Sequence, residues 1–499
     1  MKTNSDPLLS DGEYIIKEVH ELNFFSLMGT KTVVGTSNKQ YHIELQVSKI
    51  GKSTQIFSMY GATGGNLRKE WRYYNCEIDA KTEYDVILKS KLKKGYVIID
   101  VAQRAQGSEE AKKITKAVQL KNIDGLSDPN KKKSSLHFET QRLIGDLMGA
   151  TNQFVIQTLK CPLGQLTNAQ IDKGRDALNE TRKILVSAGA GQNGKMSVTL
   201  AKKDESLVTD LTNEFYRLIP HNLGQGARGQ MTELMLNDLD KILKKEYDLD
   251  TLLDAKLIGA TLVDSSVDKQ YESLQTTIDF VEPSTLLFKW LNDMIHKTKA
   301  NNHHALGKII LLNAWKISRH GELNNFLQSV ESISSKCKTQ IVPHQMESLI
   351  INRTDLDDKN KNLYKKANVI PLFHGTRTQN LTSILKNGLL IRPSNAYITG
   401  AMYGAAIYFG KSTKSINYTN IKSSYWANGN DDKAYLFISD CCLGNAKIAD
   451  KSYQYNEKNI TPHHSVWARG GSSGVINDEF MLYNTKQHNL KYILEFTCN

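Results

Sequence analysis

The sequence of 499 residues has few cysteines and no long apolar run. Its six cysteines include no C-x-x-C pair, so zinc-finger spacing is missing and a reducing compartment is expected. No stretch approaches the roughly 18 apolar residues of a membrane-spanning helix, and the first residues include no apolar signal segment. The histidine pairs 303–304 and 463–464 also lack ligand spacing. We therefore expect neither a secreted nor a membrane protein, and no bound metal.

Two glycine-rich segments are similar to nucleotide-binding loops but lack the required context. In residues 189–196, GAGQNGKM, Met196 replaces the Ser or Thr hydroxyl with which a phosphate-binding loop ligates magnesium. Gly224, Gly226 and Gly229 match the spacing of a dinucleotide-binding turn. Both motifs need a preceding strand, but helical stripes of apolar residues precede them. These stripes are Ile171, Leu178 and Leu185, and then Leu207, Leu211, Phe215 and Leu218. Both segments are predicted to be interhelical loops.

Basic residues are in excess, with a formal net charge of +12 and a pI near 9.1. This balance favours a polyanionic partner such as DNA. The basic residues crowd the first quarter, where some alternate with aromatic residues in a pattern suited to phosphates and exposed bases. They are Lys91, Lys93, Lys94, Lys112, Lys113 and Lys116, together with Arg68, Lys69 and Arg72 around Trp71, Tyr73 and Tyr74. A solvated face with core aromatic residues is the alternative interpretation.

The periodicity of apolar residues changes twice and predicts a multidomain α+β chain. After a disordered segment 1–20, a small, mostly β domain is predicted at 21–125. Its pattern is strand-like from Lys31 to about Asp100, where Tyr41, Ile43, Leu45 and Val47 alternate with His42, Glu44 and Gln46. A polar linker is predicted at 126–135 and an all-α domain at 136–263. Residues 264–499 mix the helical TLLFKWLNDMI with the strands AYLFIS and LKYILEF, which predicts an α+β domain.

Three segments of the last domain carry the candidate chemistry. They are PLFHGTRTQNLTSILKNGL with His374 and Gly375, TGAMYGAAIYFGKSTKSINY with Tyr408, Ser415 and Tyr418, and SSGVINDEFMLYNTKQHNLKYILEF with Asp478 and Glu479. They closely resemble the catalytic domain of the poly(ADP-ribose) polymerases, whose signature is a His, a Tyr and a Glu lining an NAD cleft. The 34 residues from His374 to Tyr408 match the family spacing. Aligning the terminal NLKY without a gap selects Glu479 over Asp478.

The resemblance implies a role for each of these residues. Glu479 would bind the ribose 2′-OH and stabilise the positive sugar, as carboxylates do in glycoside hydrolysis. His374 would fix the adenine-side ribose. Gly375 and Ser415 would anchor the nicotinamide carboxamide, Tyr408 and Tyr418 would sandwich its ring, and Thr376 would line the same NAD site. NAD is then a consumed substrate and no cofactor is expected.

The resemblance extends upstream and implies the partners. CPLGQLTNAQI and FYRLIPHNLG resemble the helical regulatory domain of DNA-dependent members, and NKQYHIELQ and FSMYGATG resemble the WGR domain. The WGR triplet itself is replaced by Tyr60, Gly61 and Ala62, and a stretch of about 323–370 has no assigned role. The family implies a nuclear enzyme activated by DNA breaks that modifies itself and chromatin or repair proteins. The alternatives are transfer of single ADP-ribose units, or a weakly active DNA-binding scaffold.

Overall fold

The computed structural model describes residues 14–30, 33–49, 53–62, 67–99, 134–159, 166, 168–190, 197–221, 234–262, 266–338, 341, 343, 346–391, 402–450 and 455–499. The chain divides into two compact units, residues 1–124 with 152–263 and residues 125–151 with 264–499. None of the helices in the described ranges is both long and apolar enough to cross a lipid bilayer. The bounds of the three predicted domains remain predictions, and the predicted α+β fold class is confirmed.

The first unit begins with a five-stranded antiparallel sheet in the order β4-β3-β2-β1-β5. Its strands are β1 (Tyr14–Thr30), β2 (Val33–Ser48), β3 (Thr54–Ala62), β4 (Arg68–Tyr74) and β5 (Val97–Ile99). β1 pairs with β2 from Tyr14 onward, so residues 14–20 are strand and not disordered as predicted. The Tyr60-Gly61-Ala62 triplet lies at the end of β3.

The alternation in β2 places two different cores on the two faces of the sheet. On one face, Tyr41, Ile43 and Leu45 pack with Ala80 and Tyr84 of helix α1 (Glu77–Lys93). On the other, His42, Glu44 and Gln46 are equally buried, at 2%, 0% and 0% exposure. The His42 ring lies 2.7 Å from both Glu21 and Glu44, and Gln46 donates to Glu44 at 2.5 Å. The polar face of this strand is therefore a buried hydrogen-bond network.

This network predicts a pH dependence of stability. Burial lowers the pKa of His42, but Glu21 and Glu44 outweigh it and raise that pKa from 6.5 to about 10. Because this pKa is higher in the folded than in the unfolded state, protonated His42 makes its full contribution to the free energy of unfolding below pH 6.5. This contribution falls by about 1.4 kcal/mol per pH unit as the pH rises toward 10. Hydrogen exchange of β1–β3 peptides should therefore accelerate relative to a His42→Gln variant across this range. A constant ratio of the two exchange rates would contradict a charged His42.

The basic and aromatic residues of this unit divide between core and surface. Trp71 packs on Phe57 with ring centroids 5.0 Å apart, and Arg72 binds Glu70 and Glu83. The Lys91 Nζ lies 3.8 Å from the ring centroid of Tyr41. The exposed members are Arg68, Lys69, Tyr73, Lys93 and Lys94, whereas Lys112, Lys113 and Lys116 lie outside the described residues. The pattern therefore combines an exposed set of basic and aromatic residues with aromatic residues that are packed in the domain.

Four longer helices follow, and they confirm the predicted helical periodicity. They are α2 (Phe138–Thr158), α3 (Asn168–Ser187), α4 (Lys202–Leu218) and α5 (Leu239–Leu262). The stripes Ile171, Leu178 and Leu185 of α3 and Phe215 and Leu218 of α4 are buried in one apolar core. The first glycine motif therefore follows a helix, as predicted, and begins in a turn at Gly189 with φ +100°. Residues 191–196 and the second motif at 224–229 lie outside the described residues.

The second unit is built on a nine-stranded sheet in the order β11-β12-β13-β9-β8-β10-β14-β7-β6. Its strands are β6 (Thr276–Phe280), β7 (Ile309–Arg319), β8 (Val369–Gly375), β9 (Ile407–Gly410), β10 (Lys433–Cys442), β11 (Ala446–Ile448), β12 (Ser465–Ala468), β13 (Glu479–Leu482) and β14 (His488–Cys498). Its helices are α6 (Val267–Ser273), α7 (Leu286–Lys297), α8 (Glu322–Ser334), α9 (Glu347–Ile351), α10 (Asp358–Lys366), α11 (Leu381–Asn387) and α12 (Ser412–Ile416). The predicted helix at TLLFKWLNDMI and the predicted strands AYLFIS and LKYILEF are α7, β10 and β14.

The first residues of the predicted helical domain, 136–151, group with this sheet and not with the rest of that domain. The reason is an ion network around Glu495 of β14, whose side chain is 1% exposed. Arg142 of α2 donates two hydrogen bonds to the Glu495 carboxylate, and Lys433 of β10 lies 3.2 Å from it. Asp146 accepts from Arg142, Lys433 and Tyr435. The first turns of α2 are therefore anchored by charge to the central strands.

The stretch about 323–370 contains α8, α9 and α10, and its contacts give it a structural role. Arg353 follows α9 and is 3% exposed. Its guanidinium donates to Asp440 of β10 at 2.6 Å and to Asp355 at 2.7 Å. Asp355 also accepts from Lys491 and Tyr492 of β14, and although burial opposes it, Arg353 and Lys491 lower the pKa of Asp355. The stretch is thus tied to two central strands.

We expect Arg353→Met to destabilise the second unit strongly. Removing the guanidinium takes the hydrogen-bonded cation from the fully buried Asp440 and leaves it Lys491, whose Nζ is 3.6 Å away, which costs about 3–5 kcal/mol of unfolding free energy. Urea unfolding followed by tryptophan fluorescence, to which the buried Trp315 of β7 contributes, measures the loss. Lys361→Met, which breaks an exposed pair with Asp358, is the matched control and should change stability by about 0.5 kcal/mol or less. Equal stability of the two variants would contradict the role of Arg353.

Candidate active site

His374 lies near the end of β8, where the apolar run Val369–Phe373 has carried the chain through the core. Its Nδ1 is 3.0 Å from the backbone carbonyl of Tyr408, which only accepts, so Nδ1 carries the proton. Burial lowers the pKa of His374, and the ring is neutral at neutral pH. The two predicted residues that lie 34 positions apart are therefore in direct contact, and Nε2 is the ring nitrogen left for a ligand.

Gly375 and Ser415 meet where β8 passes the short helix α12. A Cβ on Gly375 would lie 1.7 Å from the carbonyl oxygen of Ser415, so only glycine fits. The Ser415 hydroxyl is buried and donates to the carbonyl of Phe373 at 3.0 Å. It retains lone pairs that can accept from an amide. Thr376, the next residue along, accepts a hydrogen bond from the side chain of Asn380 at 3.0 Å.

Tyr408 and Tyr418 are both half-buried but are held differently. The Tyr408 hydroxyl donates to the carbonyl of Gly404 at 2.9 Å and accepts from the amide of Tyr403 at 3.0 Å. Burial raises the pKa of Tyr408, the hydrogen bond from the Tyr403 amide lowers it, and the negative charges of Glu479 and Tyr418 raise it further. Tyr418 lies nearly parallel to Trp426, with 19° between the rings and centroids 6.3 Å apart.

Glu479 begins β13 opposite Gly410 of β9, and its side chain is 7% exposed. Its carboxylate lies 2.5 Å from the Nζ of Lys414, which is itself 5.2 Å from the ring centroid of Tyr418. Burial lowers the pKa of Lys414, but Tyr418 and Glu479 outweigh it and the pKa is raised. Asp478 turns away, toward Lys411 and the amide of Gly470. Glu479, and not its neighbour, therefore adjoins the tyrosines.

Lys414 and Trp426 belong to this site, and our sequence reasoning missed both. Lys414 immediately precedes Ser415 in the same motif, and that adjacency was the available indication. Trp426 lies in the loop after Tyr418, 50% exposed, and it is fixed there because its amide donates to the carbonyl of Asn417. Nothing in its sequence context indicated this position. In the described residues, no group of three His, Cys, Asp or Glu side chains could hold a metal ion.

Comparison with known proteins matches two family models to this chain. The poly(ADP-ribose) polymerase catalytic domain matches residues 288–498, and the poly(ADP-ribose) polymerase regulatory domain matches residues 134–277. The first of these ranges contains every predicted site residue. The second ends within β6 of the nine-stranded sheet.

Curated relatives align along most of the chain. Poly(ADP-ribose) polymerase 1 of Danio rerio is 23% identical over 524 residues, covering 95% of this chain and 45% of the relative. Poly(ADP-ribose) polymerase 2 of Homo sapiens is 24% identical over 519 residues, covering 93% of this chain and 77% of the relative. The chain therefore spans less than half of the Danio rerio protein. The two domain models and these relatives show that the chain belongs to the poly(ADP-ribose) polymerase family.

Proposed function

We propose that this chain transfers ADP-ribose from NAD+ to protein acceptors, including itself. One observation carries the proposal: the sheltered carboxylate of Glu479 is paired with Lys414, which lies over the ring of Tyr418, and Glu479, Tyr408 and the neutral His374 lie on three adjacent strands. Scission of the nicotinamide–ribose bond leaves positive charge on the sugar, which a nearby carboxylate stabilises. Nicotinamide departs, and the acceptor nucleophile bonds to the anomeric carbon and loses its proton.

The other residues would hold the dinucleotide. The backbone of Gly375 and the hydroxyl of Ser415 would bind the carboxamide, and Tyr408 and Tyr418 would stack on the ring. The His374 Nε2 would accept from a ribose hydroxyl, and Thr376 would line the same site. NAD+ is consumed here, and the chain needs no cofactor. The main contribution of these residues to catalysis would be to hold NAD+ in the reactive geometry.

Incubation of the purified chain with adenine-labelled NAD+ tests this function. The label should become covalently attached to the chain while nicotinamide is released in equal amount. Cleaving the modified protein and sizing the released product separates a polymer, which we propose, from single ADP-ribose units. Release of free ADP-ribose alone, with no labelled protein, would reject the transferase function. Unconsumed NAD+ would favour a binding scaffold.

We further propose that DNA breaks activate the enzyme through the basic first unit, and that it acts on chromatin and repair proteins in the nucleus. The exposed Arg68 and Lys69 on β4 support a phosphate-binding surface. Nicked DNA should stimulate turnover by the full chain, and raising the salt concentration should reduce the affinity for DNA. Arg68→Ala with Lys69→Ala should weaken the stimulation and leave turnover without DNA unchanged. Stimulation that survives both changes would place DNA binding elsewhere.

A further inference from the structure

The ladder between β9 and β13 ends in a sheltered ion pair beside the candidate catalytic carboxylate. Gly410 faces Glu479 in the antiparallel register, so the next residues outward, Lys411 and Asp478, oppose each other. The Lys411 Nζ lies 2.8 Å from an Asp478 carboxylate oxygen, and their side chains are only 14% and 17% exposed. The other Asp478 oxygen accepts from the Gly470 amide at 2.9 Å.

A second pair forms at the next residue of the chain, Glu479. Lys414, three positions after Lys411 along the same segment, binds Glu479 at 2.5 Å with side-chain exposures of 14% and 7%. Two adjacent carboxylates are thus matched by two lysines on one element. A sheltered charge that loses its partner is costly, and it recruits another partner when one is in reach. Without Lys411, Asp478 would compete with Glu479 for Lys414.

We propose that Lys411 is a positioning residue, which holds Asp478 so that Lys414 and Glu479 keep their geometry beside Tyr418. This inference rests on the proposed function, because it concerns the carboxylate that would stabilise the sugar. Lys411 acts through Asp478 and Lys414, and it is not assigned any contact with NAD+.

The first test is Lys411→Met, which keeps the aliphatic stem and removes the charge. We expect kcat for NAD+ consumption to fall about 10- to 100-fold, because a misplaced catalytic group loses that much. The KM for NAD+ should change by about twofold or less, since the groups proposed to bind nicotinamide are untouched. Lys183→Met, which breaks an exposed Lys–Glu pair on α3, controls for the loss of any lysine.

The decisive experiment also removes the charge of Asp478, the partner of Lys411. In Lys411→Met with Asp478→Asn, no unpaired carboxylate remains to compete for Lys414, and the new side-chain amide oxygen can still accept from the Gly470 amide. We expect kcat to return to within about threefold of the wild type, a coupling that neighbouring sites show. A pair that only stabilises the fold would show its loss and its rescue in the unfolding temperature, while kcat of the folded variants would stay unchanged. A normal kcat for Lys411→Met, or a double variant as slow as the single one, would overturn the inference.

A Glu479→Gln variant assayed in parallel separates the two proposals. Slow turnover by Glu479→Gln with normal turnover by Lys411→Met would reject only the positioning role. Normal turnover by Glu479→Gln would reject the role of Glu479 itself, whatever the lysine variant does. Thermal unfolding of all variants, measured beside the assays, identifies any loss of activity that arises from misfolding.

Discussion

Glu479→Gln should lower kcat for NAD+ consumption by about 10²- to 10³-fold, the usual loss when a group that stabilises transition-state charge is removed. Gln is isosteric and keeps an oxygen that accepts from Lys414, so the surrounding contacts persist. The side chain loses its negative charge, and with it the attraction to the cationic sugar. The KM for NAD+ should change by about threefold or less, because that charge develops only during the reaction.

The control for this experiment is Glu331→Gln on the exposed surface of α8. It makes the same chemical change away from the site residues and should leave both constants unchanged. Nicotinamide release over time supplies kcat and KM for each protein. A Glu479→Gln variant that keeps more than about a third of wild-type kcat would show that this carboxylate does not perform transition-state stabilisation.

Gly375→Ala should abolish most of the activity by a steric route. The added Cβ would lie 1.7 Å from the Ser415 carbonyl oxygen and 2.6 Å from its carbonyl carbon. Both are backbone atoms and neither can rotate away, so β8 and α12 must separate. Since misplacement by about 1 Å costs roughly 10²-fold in rate, we expect a loss at least that large. Strain should also cost about 1–3 kcal/mol of unfolding free energy.

A matched glycine is available in the same unit. Gly149 lies in α2, and a Cβ there would meet nothing within 4 Å. Gly149→Ala should keep full activity and leave stability equal or slightly higher, because alanine favours the helix. Thermal unfolding and NAD+ turnover of both variants give the comparison. If Gly375→Ala were as active as Gly149→Ala, the close packing of β8 on α12 would be wrong.

Local patterns predicted the elements of this protein well where one periodicity prevailed. The apolar stripes that begin at Ile171 and Leu207 lie in helices α3 and α4, and LKYILEF lies in strand β14. Alternation in β2 indicated a strand but gave no sign that His42, Glu44 and Gln46 are buried too, because this network is completed by residues on other strands, Glu21 of β1 and Gln55 of β3. Burial of a polar face depends on what covers it, and no local pattern contains that information.

The site shows the same division between local and long-range information. Resemblance supplied His374, Tyr408 and Glu479, and the fold brings them to neighbouring strands β8, β9 and β13. Their roles remain predictions. The contact between Lys414 and Glu479 joins residues 65 positions apart, and the anchoring of Arg142 on Glu495 joins residues 353 apart. Such pairings follow from strand order and register, which composition and spacing do not determine.

We propose above all that the site formed by His374, Tyr408 and Glu479 breaks the nicotinamide–ribose bond and passes the sugar to an acceptor. The most direct test follows adenine-labelled NAD+ through the wild-type chain and the Glu479→Gln variant. We predict covalent label on the wild-type protein, matched by released nicotinamide, and little label on the variant. Equal labelling of the two proteins, or NAD+ recovered intact from the wild type, would contradict the account.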